Sequence, residues 1–130
     1  MCLNSEAVFR YSDPTMSIPT LFAGKGIQEA LCVALLSPLR KKFRFSADST
    51  RSEVTLAVGA AAFAELSPIR KGVRVTIILG HALEAPRIDR TENVAKGRIH
   101  NQIDLTRLDQ VDDELIGWLE QACSRAGSAH

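Results

Sequence analysis

Through the middle of this chain apolar residues recur at every second position, and that period constrains the fold more than any other feature. Val73, Val75, Ile77 and Leu79 fall on one side of an extended chain and Arg74, Thr76 and Ile78 on the other. Val54, Leu56 and Val58 alternate with Thr55 and Ala57 in the same way, and Phe43 and Phe45 alternate with Arg44 and Ser46. "FAEL" follows, and "SPIRKG" carries turn chemistry at Pro68 and Gly72. In "RIHNQIDL", Ile99, Ile103 and Leu105 share one face, while Arg98, His100, Gln102 and Asp104 make a second face that is polar at every position. The intervening "HALEAPRIDRTENVAKG" reads as an excursion with a short extended piece around Arg87 to Asp89.

Helical periods flank this region. From Gly26 onward, Ile27, Ala30, Leu31, Ala34 and Leu35 keep the i, i+3, i+4, i+7, i+8 spacing of one helix face. Cys32, Val33 and Leu36 widen that face, so the helix should be largely buried and should leave a large apolar face on the monomer. Ser37-Pro38 is expected to break or restart it, because the residue before proline avoids the helical region. At the other end Asp109 is placed to N-cap a helix whose first turn holds Asp112, Asp113 and Glu114 and whose apolar stripe is Val111, Leu115, Trp118, Leu119 and Ala122. Gly127 is a fitting stop.

Helix, a meander of about five strands, then helix predicts an α+β fold, with an antiparallel sheet and both helices packed on one face. At 130 residues the chain has the size of one domain that needs no disulfide or metal staple, and 45% apolar with 24% charged residues is ordinary globular composition. Residues 1 to 17 lack either period and contain Asp13-Pro14, so they read as a flexible tail before a single domain at 18 to 127. Met16 is an alternative start.

Charge is unevenly placed. Residues 40 to 98 carry twelve Lys/Arg against six Asp/Glu, and residues 99 to 130 carry two against six. Such asymmetry can steer an anionic partner, but pairing within the molecule or across a dimer is the favoured account. Cys2, Cys32 and Cys123 are odd in number and far apart, which suits neither a disulfide framework nor a zinc site and points to a reducing cytoplasm. No window reaches the roughly 18 apolar residues of a membrane span, and no secretory signal is visible.

Chemistry is sparse. Gly24-Lys25-Gly26 suggests a phosphate loop, yet Pro19 stands where a Walker A loop needs its first glycine and Gly26 where it needs a hydroxyl, so a helix-start role is favoured. The histidines form no HxxxH pair. His100, flanked on its face by Arg98, Gln102 and Asp104, is the strongest polar-site candidate, with His81 close by in the chain. Asp112, Asp113 and Glu114 are consecutive, so on a helix they fan out rather than converge on a metal. Arg70, Lys71 and Arg74 make a basic hairpin without interleaved aromatics, which leaves nucleic acid an unlikely partner.

"LFAGKG" before the first helix, "FAELSP" followed by "RKGVRVTI", and "IDLTRLDQVDDELIGWLEQA" together resemble the bacterial domain-of-unknown-function family 5655 over about residues 20 to 125. The family's opening falls on Leu21, Phe22, Gly24 and Lys25, and its Phe-Ala-Glu strand on Phe63, Ala64, Glu65 and Pro68. Where relatives tend to carry polar or aromatic residues ahead of that strand, this chain has Gly59 and alanines 60 to 62. The resemblance implies an accessory binding module and brings no catalytic residues.

The favoured reading is therefore a non-catalytic module for a protein or small ligand, its expected contacts being Lys25, Arg74, Arg98 and His100, in a homodimer without cofactor or metal. The alternative is a small hydrolase or transferase using His100 with Asp104 or His81. A second alternative is an accessory nucleic-acid binder that uses the basic hairpin.

Overall fold

The computed structural model describes residues 21–128. The tail at 1–17, the alternative start at Met16, Cys2 and His130 lie outside the described residues. Within them, helix α1 (Ile27–Arg40) is followed by strands β1 (Ser46–Ser49), β2 (Val54–Val58), β3 (Ala61–Ile69), β4 (Gly72–Leu79), β5 (Arg90–Ala95) and β6 (Arg98–Leu105), then by helix α2 (Asp113–Ser128). The architecture is α+β: one antiparallel sheet of six strands packed against two helices.

The strand order β1-β2-β3-β4-β6-β5 departs from a simple meander, because β6 returns to pair with β4 and β5 is left at the edge. Strand β5, "RTENVA", is exposed at every position and so has no apolar alternation to announce it. It is specified by its partner: a turn at Lys96 and Gly97, with Gly97 at φ 74°, folds it back on β6. The first strand is also displaced from its expected place. Phe43 and Phe45 pack half-buried against the core ahead of β1, and Phe45 meets Phe63 edge-on at 5.5 Å between ring centroids.

Residues opposite one another on paired strands share a face, so the register defines both faces. Rows such as Val54–Leu66–Val75–Ile103 and Leu56–Ala64–Ile77–Asn101 carry the core. A register shift sets Leu56 against Ala64 but Ala57 against Ala62, so Phe63 is the extra residue of a β-bulge. Phe63 and Ala64 are consecutive, yet both are buried in the one core cluster. Pro68 belongs to β3 rather than to the turn, which is Arg70-Lys71 alone. It lies past Leu66, where pairing with β2 ends, so its missing N–H deprives β2 of nothing.

Both helices differ from expectation at their ends. Helix α1 runs through Ser37-Pro38 to Arg40. A proline inside a helix costs about 3 kcal/mol. Here Leu31, Leu35, Leu36 and Leu39 are 2% exposed or less, and each buried leucine contributes roughly 1.5–3 kcal/mol, so packing outweighs the local penalty. The apolar face expected of α1 is mostly consumed in this way. Large exposed apolar residues among the described ones are Ile27, Val33, Val94 and Leu108, scattered over three elements. Asp109 lies in a short 3-10 turn, and it is Asp112 that caps α2, its Oδ1 accepting the Leu115 N–H at 3.0 Å. That hydrogen bond and the neighbouring Arg87 hold the Asp112 carboxyl below the usual carboxylate range. Helix α2 continues past Gly127 to Ser128.

Cys32 and Cys123 are free and buried within the helices. Burial pushes the Cys32 thiol up to about 12, against a smaller opposing pull from Arg40, and raises that of Cys123 as well. Neither thiol is expected to react with iodoacetamide in the native protein at pH 8, and both should react once it is unfolded. Peptide mapping of the labelled protein checks this; native labelling of Cys32 would count against its packing.

Candidate functional site

Because both helices lie on the core face, the chemistry-bearing residues gather on the other. Its central row is Thr55–Glu65–Thr76–Gln102–Arg90, flanked by Ser67–Arg74–Asp104 on one side and Ile78–His100–Glu92 on the other. This is the polar face expected of β6, now with its neighbours identified. Arg74, Arg98 and His100 share it, whereas Lys25 sits between Gly24 and Gly26, both at positive φ, at the start of α1. There the Gly24 N–H donates to Glu29 Oε1 at 2.6 Å and the Lys25 N–H to the Phe22 carbonyl, which is the bonding of a chain turning into a helix.

The histidine–aspartate association does not form. Asp104 is held by Arg74, whose Nε and Nη2 donate to its two carboxylate oxygens at 2.8 and 3.1 Å. It stands four residues along β6 from His100, roughly 13 Å. His81 is exposed beyond the end of β4, and its backbone carbonyl accepts from Asn101 Nδ2. What surrounds His100 is a different set: Ile78 and Glu92 directly opposite, with Arg98 and Glu53 near enough to act on its charge. Its Nε2 is buried with no hydrogen-bond partner among the described residues. Burial first, then the Arg98 charge, lowers the His100 pKa, while Glu92 and Glu53 pull the other way. A neutral imidazole at pH 7 follows.

Glu65 stands in the sequence only as part of the family's Phe-Ala-Glu strand and not as a site candidate, although the alternation of Ala64, Glu65 and Leu66 already sets it opposite the core. Its half-buried side chain is hydrogen-bonded to that of Glu53. Burial, then the charge of Glu53 and this hydrogen bond, raise the Glu65 pKa; Arg98 opposes them. A carboxyl raised in the folded state contributes stability that is complete below its unfolded value, near 4.5, and is lost as the pH rises through the folded one. Glu65→Gln is therefore expected to raise Tm at pH 7 relative to wild type and to narrow that gain towards pH 4. Thermal scans across this range measure the difference, and an unchanged gap at every pH would refute the raised Glu65 pKa.

At the end of the sheet where Arg98 opens β6 lies a cavity of about 560 Å³, between the start of β3, the end of β4, the start of β6 and the C-terminal half of α2. Alanines 60–62, Ile78, Ala122 and Ala126 line it, and its two charged lining residues are Arg98 and Arg125. Arg125 Nη2 donates to the Gly97 carbonyl and so ties α2 to the β5–β6 turn. No ion pair within 4.0 Å engages Arg98 among the described residues. Sequence reading named Arg98 but not Arg125. The signal for the latter was the small-residue spacing of Ala122 and Ala126 on α2, set against the run of alanines in "GAAA".

The basic middle and acidic end of the chain meet inside the molecule. Lys42 pairs with Glu120 at 3.1 Å, Arg74 with Asp104, and Arg87 with Asp112 at 2.8 Å and Glu114 at 3.1 Å. Arg87 Nη2 also donates to the Gln110 carbonyl at 2.5 Å, and its guanidinium lies 5.9 Å from the Trp118 ring centroid. Arg74, one of the two arginines of the basic hairpin that a nucleic-acid backbone would need, is thus engaged within the fold. Among the described residues no group of three or more His, Cys, Asp or Glu is arranged to hold a metal ion, and no helix is long and apolar enough to cross a membrane.

No curated protein and no solved structure matches the chain. A family match does exist, and it runs from the first turn of α1 through the whole sheet into α2, taking in the polar face and the cavity lining up to Ala122 but not Arg125 and Ala126. Over residues 30–124 the sequence matches the family described as Domain of unknown function (DUF5655), and the chain belongs to that family.

Proposed function

We propose that this domain is a non-catalytic binding module that takes a small ligand at the Arg98 end of its sheet, beside α2. The observation that carries this reading is the cavity beside Arg98, whose guanidinium has no ion-pair partner among the described residues. At about 560 Å³ it lies within the range of small-molecule sites. Two titratable groups with shifted pKa values, Glu65 and His100, stand next to Arg98, which is the company such sites keep.

A small ligand is favoured over a protein partner because exposed apolar residues are scattered rather than gathered into a patch. Binding is favoured over catalysis because the carboxylate expected to orient His100 is committed to Arg74 and both described cysteines are buried. A reducing compartment suits those free thiols.

The test is native mass spectrometry of the protein purified from its own host. Wild type is expected to carry a bound mass that Arg98→Gln loses. Two bare proteins that also bind no small anion, or a bound mass that survives the substitution, would remove Arg98 and its cavity from the reading.

A further inference from the structure

From the lining of the Arg98 cavity we infer the chemical class of its ligand: a small amphipathic anion, with a carboxylate or phosphate head on a short apolar chain. This rests on the binding role proposed above and extends it to chemistry.

The cavity has two kinds of wall. Five alanines and one isoleucine offer methyl groups and no donor or acceptor of their own side chains. Ala122, Ala126 and Ile78 are already 6% exposed or less, so this wall is a preformed part of the core edge. The charged part is arginine alone. A guanidinium presents five N–H donors in a planar fork that fits two oxygens of a carboxylate or phosphate.

Other ligand classes use only part of this lining. A purely apolar guest would fill the methyl wall but desolvate Arg98 without giving it an acceptor. A bare inorganic anion would satisfy the arginine and leave the apolar wall unused. A cation would meet Arg98 and Arg125 with its own charge. An anionic head joined to an apolar chain satisfies both walls at once.

The acidic residues nearby do not cancel this preference. Burial and the neighbouring Glu53 raise the Glu65 pKa, which favours its neutral form over a second negative charge. Glu92, the remaining acid beside His100, lies on the exposed edge strand β5. Arg125 is anchored through one nitrogen to the Gly97 carbonyl, which holds the side chain in place while its other donors stay available.

The experiment is a titration followed by two-dimensional NMR of amides and alanine methyls, with octanoate, octylphosphonate and octylammonium as probes and acetate and inorganic phosphate as headgroups alone. Octanoate or octylphosphonate is expected to shift the resonances of alanines 60–62, Ala122 and Ala126 and to saturate, and whichever binds tighter identifies the head. Arg98→Gln is expected to weaken that binding by about tenfold. Octylammonium and the short anions should bind at least tenfold more weakly than the preferred probe.

If octylammonium binds as well as the anions, if the shifts map elsewhere, or if Arg98→Gln leaves affinity unchanged, the anionic class is wrong. A natural ligand that the protein retains and octanoate and octylphosphonate fail to displace would likewise end this inference while leaving the binding role intact. Absence of both a retained ligand and any probe binding would end the two together.

Discussion

Gly72→Ala is expected to destabilise the domain by about 3 kcal/mol, lowering Tm by roughly 10 °C. Gly72 opens β4 immediately after the two-residue turn Arg70-Lys71, where the strand passes close to the end of β6. A Cβ at this position would lie 1.7 Å from the Leu105 carbonyl oxygen, 2.8 Å from its carbonyl carbon and 3.0 Å from Thr106 Cα. All three are backbone atoms, so no side chain can rotate away; the strands must separate where Val73 faces Leu105. Gly117, in the middle of α2, provides the control, because nothing lies within 4 Å of its Cβ position. The same substitution there should stabilise the domain by up to about 1 kcal/mol, since alanine is the better helix former. Urea denaturation of the two variants decides the matter. Equal effects would show that the approach of β4 to Leu105 is looser than described.

Asn101→Leu is the second large effect, an expected loss of about 3 kcal/mol despite the near-equal volume. Asn101 stands in the apolar row of β6, fully buried, where its neighbours Ile99 and Ile103 suggest a hydrophobic residue. Its Oδ1 accepts the Leu83 N–H at 2.8 Å, and its Nδ2 lies 3.3 Å from the carbonyls of Ile77 and His81. One amide therefore satisfies the backbone of the loop leaving β4 and holds that loop against the sheet. Leucine would fill the space and leave the Leu83 donor without its acceptor. Asn101→Asp keeps that acceptor but turns the second oxygen towards two carbonyls, so it should be at least as damaging near pH 7 and recover in part as the pH falls. Hydrogen exchange at the Leu83 amide reports the specific loss: protection should collapse in Asn101→Leu well before global unfolding. A variant with wild-type protection at Leu83 would mean that the loop is held by other contacts.

Both positions show how the sequence can be read correctly as a pattern and still miss what a residue does. Asn101 breaks the alternation of β6, and the break is the only local sign that a polar residue has work beneath the sheet. Gly72 looks like ordinary turn chemistry, yet the structure places it in a strand, and its need for glycine comes from a carbonyl thirty-three residues away.

The candidate site was legible to a similar degree. Arg98, His100 and Arg74 could be placed on one polar face from the period of their strands alone. Their partners could not, because register is a property of pairs of strands: it gave Asp104 to Arg74 and set Ile78 and Glu92 beside His100. Glu65 and Arg125 were hidden for the same reason, one on β3 and the other on α2, each meaningful only beside Arg98.

What the sequence by itself determined is the class and order of the fold: a strand-period middle between two helical ends, helices on one face of an antiparallel sheet, and packed cysteines in both helices. Those features follow from the spacing of apolar residues within single segments, where 3.6 and 2 are the only periods that present a continuous apolar side. Only the tertiary structure decided that β5 lies outside β6, that α1 carries Pro38 within it, that Lys42, Arg74 and Arg87 of the basic middle pair with acids of the C-terminal region, and that alanines 60–62 meet Ala122 and Ala126 around two arginines. Each of these depends on contacts between residues far apart in the chain. Their energies of burial, pairing and close approach exceed the local preferences of polar strand residues or a single proline, and no local pattern encodes them.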